Sequence, residues 1–181
     1  FSKHLNRVLA IDPTTSTAQV EPGVVHARLQ AASRPMALRY GPDPSTHTRC
    51  TVGGMIANNA CGNRALGYGR SSDNLSALDL LTIDGERLQV GRGVTVSSAR
   101  LERARALVDR NLATVRTEFG RFGRQVSGYS LEHLLPENGF DVASFMAGTE
   151  GTLAVILGAT VDLVADPSYR HLVVLGFPTM M

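Results

Sequence analysis

The sequence predicts an α+β fold, with an antiparallel or mixed sheet flanked by helices. Three observations carry this reading. Strand patterns come in close pairs joined by turns, at residues 7–11 with 17–20 and at 77–83 with 87–90. One long amphipathic pattern covers residues 101–119. Helices follow strands without the strict alternation that a doubly wound parallel sheet requires. With 181 residues, the chain is long enough for one domain with a real core or for two small lobes.

The elements read as follows. The first strand pair turns at Asp12-Pro13, and Glu21-Pro22-Gly23 breaks the pattern after it. Residues 24–32 suit a short helix with Val25, Leu29 and Ala32 on one face. The second strand pair is joined at Asp84-Gly85, a strong hairpin signal. Ser97 or Ser98 can cap the amphipathic helix, which carries Leu101, Ala104, Val108, Leu112, Val115 and Phe119 on one face and stops at Gly120. Its arginine-rich opposite face reads as a solvated surface. Residues 127–129 suggest a turn, 131–135 a short helix stopped by Pro136, and Asp141 a cap for another short helix ending before Gly148. Residues 152–164 are β-branched and apolar with a break near Gly158, which predicts one long or bent strand, or a hairpin. Asp166-Pro167 reads as a boundary, dividing residues 1–166 from 167–181. Residues 171–177 read as the first strand beyond it.

Composition narrows the function classes. Hydrophobic residues make up 43% and charged residues 19%, which argues against disorder. The net charge of +2 is too small to imply nucleic acid, and the arginines are scattered without interleaved aromatics. No run approaches the roughly 18 apolar residues that a membrane span needs. Cys50 and Cys61, eleven positions apart, fit no common zinc or cluster spacing and read as a reduced pair. No other spacing of His, Asp and Glu suggests a metal. A cytoplasmic location follows, with peripheral attachment to a membrane left open. The chain does not begin with Met, which suggests a piece of something longer.

Two stretches depart from ordinary core sequence. Residues 41–74, GPDPSTHTRCTVGGMIANNACGNRALGYGRSSDN, hold six glycines among small and amide residues. Glycine is kept where backbone turns sharply or approaches something closely, and bare amides around it can cradle phosphate oxygens. Thr51-Val52-Gly53-Gly54 is the nearest sequence to a phosphate loop, though a tight structural turn accounts for it equally well. Asn58 and Asn59 offer amide groups to a sugar or ring edge. The second stretch, Gly148-Thr149-Glu150-Gly151-Thr152-Leu153, places a carboxylate between glycines at a helix-to-strand corner. It reads either as a turn with a surface Glu or as a backbone strip beside a flat ligand.

CTVGGMIANNACGNRALGYGRSSDN, FGRQVSGYSLEHLLPE and GTEGTLAVI, in that order, resemble the FAD-binding domain of the vanillyl-alcohol oxidase / p-cresol methylhydroxylase (PCMH) type. Within it they look closest to FAD- and iron–sulfur-containing dehydrogenases of D-lactate and related D-2-hydroxy acids, the glycolate oxidase-like FAD-linked oxidases. The resemblance runs over residues 7–164. It implies the second lobe of such a domain, with FAD as cofactor. Pro44, Ser45, Thr46, His47, Cys50, Thr51, Gly53, Gly54, Asn58 and Asn59 would line the pyrophosphate, ribityl and flavin region. Glu150, Gly151 and the residues to Ile156 would run beside the cofactor through their backbone. Tyr68 and Asp73 look like framework, and residues 123–137 resemble a stretch closing over the active-site side.

The resemblance further implies hydride transfer from a small D-2-hydroxy acid to the flavin, then electron transfer to an iron–sulfur domain or another acceptor. The family's first FAD lobe would precede Phe1, and its substrate cap and cysteine-rich domain would follow Met181. Ala154 departs from the pattern, since the family usually has glycine there. His47 is the best-placed candidate base, but a structural or flavin-contacting role suits it better, and the catalytic residues stay unknown. A same-fold flavoenzyme with another substrate, or a non-catalytic nucleotide-binding module, are the alternatives.

Overall fold

A computed structural model describes residues 1–94, 96–122, 128–169 and 171–179. The described residues hold one sheet, and every pairing in it is antiparallel. The strands are β1 (Val8–Asp12), β2 (Thr17–Val20), β3 (Leu38–Tyr40), β4 (Leu75–Thr82), β5 (Arg87–Gly91) and β6 (Ala154–Ala165). The order is β1-β2-β6-β4-β5, with β3 also paired to β6. The helices are α1 (His26–Ser33), α2 (Val52–Ala57), α3 (Ala65–Tyr68), α4 (Ala99–Arg110), α5 (Leu112–Glu118) and α6 (Val142–Met146).

The β-branched stretch near the C-terminus becomes the hub. β6 is one strand of 12 residues, and it pairs with β2, β3 and β4 at once. The break expected near Gly158 is a bulge: Asp79 faces Gly158 while Leu80 faces Ile156, so Leu157 is the extra residue. Ala159, Val161 and Leu163 alternate inward and are buried. The Asp84-Gly85 signal holds as well. β4 and β5 form a hairpin with Gly85 at φ +86°, and Thr82 N donates to Glu86 O at 2.9 Å.

α1 packs on β3, α2 on β6, and α6 on β4 and β5. Leu29, Tyr40, Met55, Ile56, Leu75, Leu80 and Val161 are almost wholly removed from water, and they join these elements into one core. Burial pushes the Tyr40 phenol well above its ordinary range.

Four expectations need correction. The helix expected to run unbroken to residue 119 divides into α4 and α5. Asn111 sits between them at φ −123°, its side-chain amide donating to Leu107 O at 2.8 Å. An Asn side chain that takes a backbone carbonyl competes with the helix ladder, and each half still buries its own valine, Val108 and Val115. The Thr51–Gly54 stretch is not an open loop but the cap and first turn of α2. Residues 171–177 form no strand: Leu172, Val173, Val174, Leu175 and Phe177 are all more than 70% exposed, and a strand needs a neighbour to pair with. The short helix expected at 131–135 is a single 3-10 turn, Leu131–Leu134. Part of the turn expected at 127–129, and of the stretch 123–137, lies outside the described residues.

Among the described residues, no helix is long and apolar enough to cross a membrane. Two surface ion pairs brace the α4–α5 side. Arg116 on α5 holds Glu137 through bonds of 2.7 and 3.0 Å, and this lowers the Glu137 carboxyl to about 2. The Thr82 hydroxyl, and then Arg100, hold the Asp84 carboxyl at about 2. Both folded values lie below the unfolded ones. The stabilisation is therefore complete above the ordinary carboxylate range of about 4 and is lost as pH falls from there toward 2. Glu137→Gln is expected to flatten acid unfolding in that window, by a small amount because both partners are half exposed. Superimposable acid-unfolding curves for the two proteins would contradict this.

Candidate functional site

The first wall of the site is the start of α2. Thr51 caps it, with its hydroxyl accepting from Gly54 N at 3.2 Å. Val52 N donates to Val24 O and Gly53 N to Pro22 O, both at 2.8 Å, and Met55 N donates to Thr51 O at 2.9 Å. Every amide of this first turn thus has a partner within the chain. The glycines here do not form a nest of open phosphate donors, as the sequence pattern suggested. They serve closeness instead, and each for its own reason. A Cβ on Gly53 would stand 2.5 Å from Pro22 Cβ and 2.9 Å from Pro22 O, so Gly53 lets the helix sit directly on the 21–23 turn. Gly54 faces outward, and a Cβ there would meet only Thr51 Oγ1, at 3.1 Å.

The second wall is the corner between α6 and β6. Gly148, Glu150 and Gly151 have φ of +89°, +53° and +75°. Glycine adopts this conformation freely and glutamate only at a cost. Backbone bonds to the end of α2 hold the corner in place: Gly148 N donates to Ile56 O at 2.9 Å and Glu150 N to Ala57 O at 3.0 Å. A Cβ on Gly148 would approach Asn59 Cβ to 3.2 Å. Ala154 opens β6 with an ordinary strand backbone, so alanine in place of glycine costs no strain there.

Together these walls line a groove of about 310 Å³, formed by Thr51, Gly53, Gly54 and Ala57 on one side and Thr149, Gly151 and Ala154 to Ile156 on the other, with Phe1 and Pro22 at its margin. Two stretches nearly a hundred residues apart, singled out separately in the sequence, therefore meet. The remaining candidates fall elsewhere. Asn58 is exposed at the end of α2, with its side-chain amide on Gly54 O at 3.1 Å. Asn59 is buried at φ +46°, its Oδ1 accepting from Ser72 N at 3.0 Å, so its role is to pin backbone. Glu150 turns an exposed side chain to solvent.

Pro44, Ser45, Thr46, His47 and Cys50 form a turn over the start of α1, where His47 O and Cys50 O accept from Ala27 N and His26 N. His47 lines a separate pocket of about 230 Å³ with His26, Arg39, Asp43, Arg64 and Asp166. Arg39 and Arg64 both reach Asp43, at 3.2 and 3.1 Å, which makes this pocket an ion-paired brace. Burial lowers the His26 pKa, and its Nε2 donates to Pro42 O at 2.9 Å, so this ring pins the backbone ahead of the Pro44–Cys50 turn. Tyr68 and Asp73 are framework: Tyr68 O accepts from Asn74 Nδ2 at 2.6 Å, and Asp73 Oδ2 from Arg70 N at 2.8 Å. Cys50 and Cys61 are free thiols.

Residues 1–91 match the family model described as "FAD binding domain". The chain belongs to the FAD-binding domain family. FAD is the cofactor of that family. Among curated proteins, the chain is 31% identical over 196 aligned residues to a D-2-hydroxyglutarate dehydrogenase of Pseudomonas putida, a match that covers 100% of the chain and 19% of the relative. It is 28% identical to the glycolate oxidase subunit GlcD of Escherichia coli, over 96% of the chain and 27% of the relative. It is 34% identical to a D-lactate dehydrogenase of Archaeoglobus fulgidus, over 95% and 30%. The chain thus spans less than a third of the length of these relatives. Solved structures of alkyldihydroxyacetonephosphate synthase share the fold, with a TM-score of 0.60 and 19% identity over 91% of this chain and 22% of that one.

The groove's chemistry fits part of FAD. None of its lining side chains is charged, and glycine, alanine and β-branched surfaces alternate along it. Such a surface suits the flat, uncharged portion of the cofactor, and its side chains offer a pyrophosphate no cation. Sequence reasoning missed Phe1 and Pro22 at the groove. Pro22 carries only a pattern-breaking signal in the sequence, and nothing local shows that Gly53 rests on it.

Proposed function

We propose that residues 1–166 form the flavin-flanking second lobe of an FAD-linked oxidoreductase acting on a small D-2-hydroxy acid, with residues 167–181 opening the next domain. The observation that supports this most is the convergence of the Thr51–Gly54 and Thr149–Ile156 stretches on one uncharged groove. Thr51, Gly54, Ala57, Gly151 and Ile156 would hold the flat part of FAD. Pro44 to Cys50 would lie toward the rest of the cofactor.

When bound, FAD supplies an acceptor for the hydride on the carbon bearing the substrate hydroxyl. This chain's own residues supply surface and rigidity. The two walls exclude water from one side of the cofactor, and the backbone bonds between α2 and the Gly148–Thr152 corner keep their spacing fixed. The base that takes the hydroxyl proton, the cation that anchors the carboxylate, and the electron acceptor would come from other parts of the protein. The D-2-hydroxyglutarate, glycolate and D-lactate enzymes among the relatives support a small hydroxy acid as substrate. A cytoplasmic location accompanies this reading.

The test is a visible spectrum of the purified longer protein, followed by anaerobic addition of D-2-hydroxyglutarate, D-lactate and glycolate. A flavin band that one of these bleaches, and that the L-enantiomers of the chiral acids leave alone, is the expected result. A flavin band that none of them bleaches removes the substrate assignment. A protein without a flavin band removes the enzyme reading.

A further inference from the structure

We propose that Tyr129 is a positioning residue for the flavin groove, holding the strained Gly148–Thr152 corner through a directed chain of hydroxyl bonds. The inference rests on the groove being the FAD wall.

The corner is costly to keep. Three of its four residues from Gly148 to Gly151 are left-handed, one of them a glutamate. Two backbone bonds fasten its inner side to α2. Its outer side is fastened differently. Thr152 Oγ1 lies 2.5 Å from Thr149 O, and a carbonyl can only accept, so the Thr152 proton is committed there. Tyr129 Oη lies 2.8 Å from the same Thr152 Oγ1 and must therefore be the donor. The chain runs from Tyr129 to Thr152 to the carbonyl of Thr149, a groove residue. Thr149 in turn donates its own hydroxyl to Met146 O on α6, at 2.9 Å.

The ring of Tyr129 is placed from the same helix. It stands edge-on to Phe145 of α6, with centroids 6.3 Å apart. Tyr129 therefore ties α6 to the corner from outside while α2 ties it from inside. Its side chain does not line the groove, so it acts on the cofactor only through Thr149 and Gly151.

Tyr129→Phe keeps the ring and deletes the donor. In the full-length protein this variant is expected to bind FAD about fivefold more weakly, read by quenching of flavin fluorescence. Thr152→Val should weaken binding at least as much, and the double variant no more than Thr152→Val alone, because both act on one chain. Thr152→Ser, which retains the hydroxyl, should bind like the wild type. In the apo-protein, hydrogen exchange over residues 149–152 should speed up in Tyr129→Phe with little change in melting temperature. Wild-type affinity and exchange in Tyr129→Phe, or a Thr152→Ser variant as weak as Thr152→Val, would overturn the inference alone. Absence of flavin binding in the wild type would overturn the groove assignment and this inference together.

Discussion

Gly62→Ala is expected to be the most destabilising single-methyl change in this chain, at about 3 kcal/mol or more. A Cβ at this position would stand 2.0 Å from Asp43 O, 2.3 Å from Asp43 C and 2.8 Å from Pro44 N. All three atoms are backbone, so no rotamer change can relieve the clash. The opposing loop cannot easily retreat either. Arg39 and Arg64 grip the Asp43 carboxylate, and His47 N donates to Pro44 O at 3.0 Å. Against a total stability of roughly 5–15 kcal/mol, the loss should appear as a large drop in the urea midpoint. Gly67→Ala is the control. It lies in α3 at ordinary φ with nothing within 4 Å of its Cβ, and the change should stabilise by up to about 1 kcal/mol. A Gly62→Ala protein that unfolds at the wild-type midpoint would show that segments 43–44 and 61–62 do not pack as described.

What the sequence made legible follows from how local each signal is. β6 announced itself because β-branched residues over 12 positions suit a pleated, half-buried surface whatever lies beside it. The Asp84-Gly85 turn was legible because its φ requirement sits within two residues. The α4–α5 break was not, since Asn111 is tolerable in a helix and only its bond to Leu107 O decides the matter. Residues 171–177 carried a strand's composition, but pairing is a property of two segments and composition describes one. The glycine pair was legible only as a choice between two readings. Thr-Val-Gly-Gly reads like an anion loop as long as its amides are taken to be free, and the residues that occupy them, Pro22 and Val24, lie some thirty positions upstream. His47 reads as part of the cofactor site because it falls between Pro44 and Gly53. That its turn also packs on α1, beside the Arg39–Asp43–Arg64 brace, depends on residues outside that stretch. That the two glycine stretches share one groove could be reached only by resemblance, because nothing local brings residue 54 to residue 151.

Gly54→Val is expected to leave the fold standing and remove the flavin. Gly54 lies on the outer face of α2, where a Cβ meets one hydroxyl at 3.1 Å, and valine is no worse than glycine in a helix. The melting temperature should therefore hold. The branched side chain would enter a groove of about 310 Å³ whose width depends on the glycine surface, so a flat ligand loses its approach to the helix backbone. Flavin content after desalting, taken as visible absorbance relative to protein, should fall more than about tenfold. Gly54→Ala should give an intermediate loss, because it adds one methyl at the same place. Gly53→Ala, one residue away, should fail for the opposite reason. Its Cβ would strike Pro22 at 2.5 Å, so stability falls first and flavin is lost as a consequence of unfolding. The neighbouring variants thus separate a glycine required for packing from one required for access. Full flavin content in a folded Gly54→Val protein would remove α2 from the cofactor site.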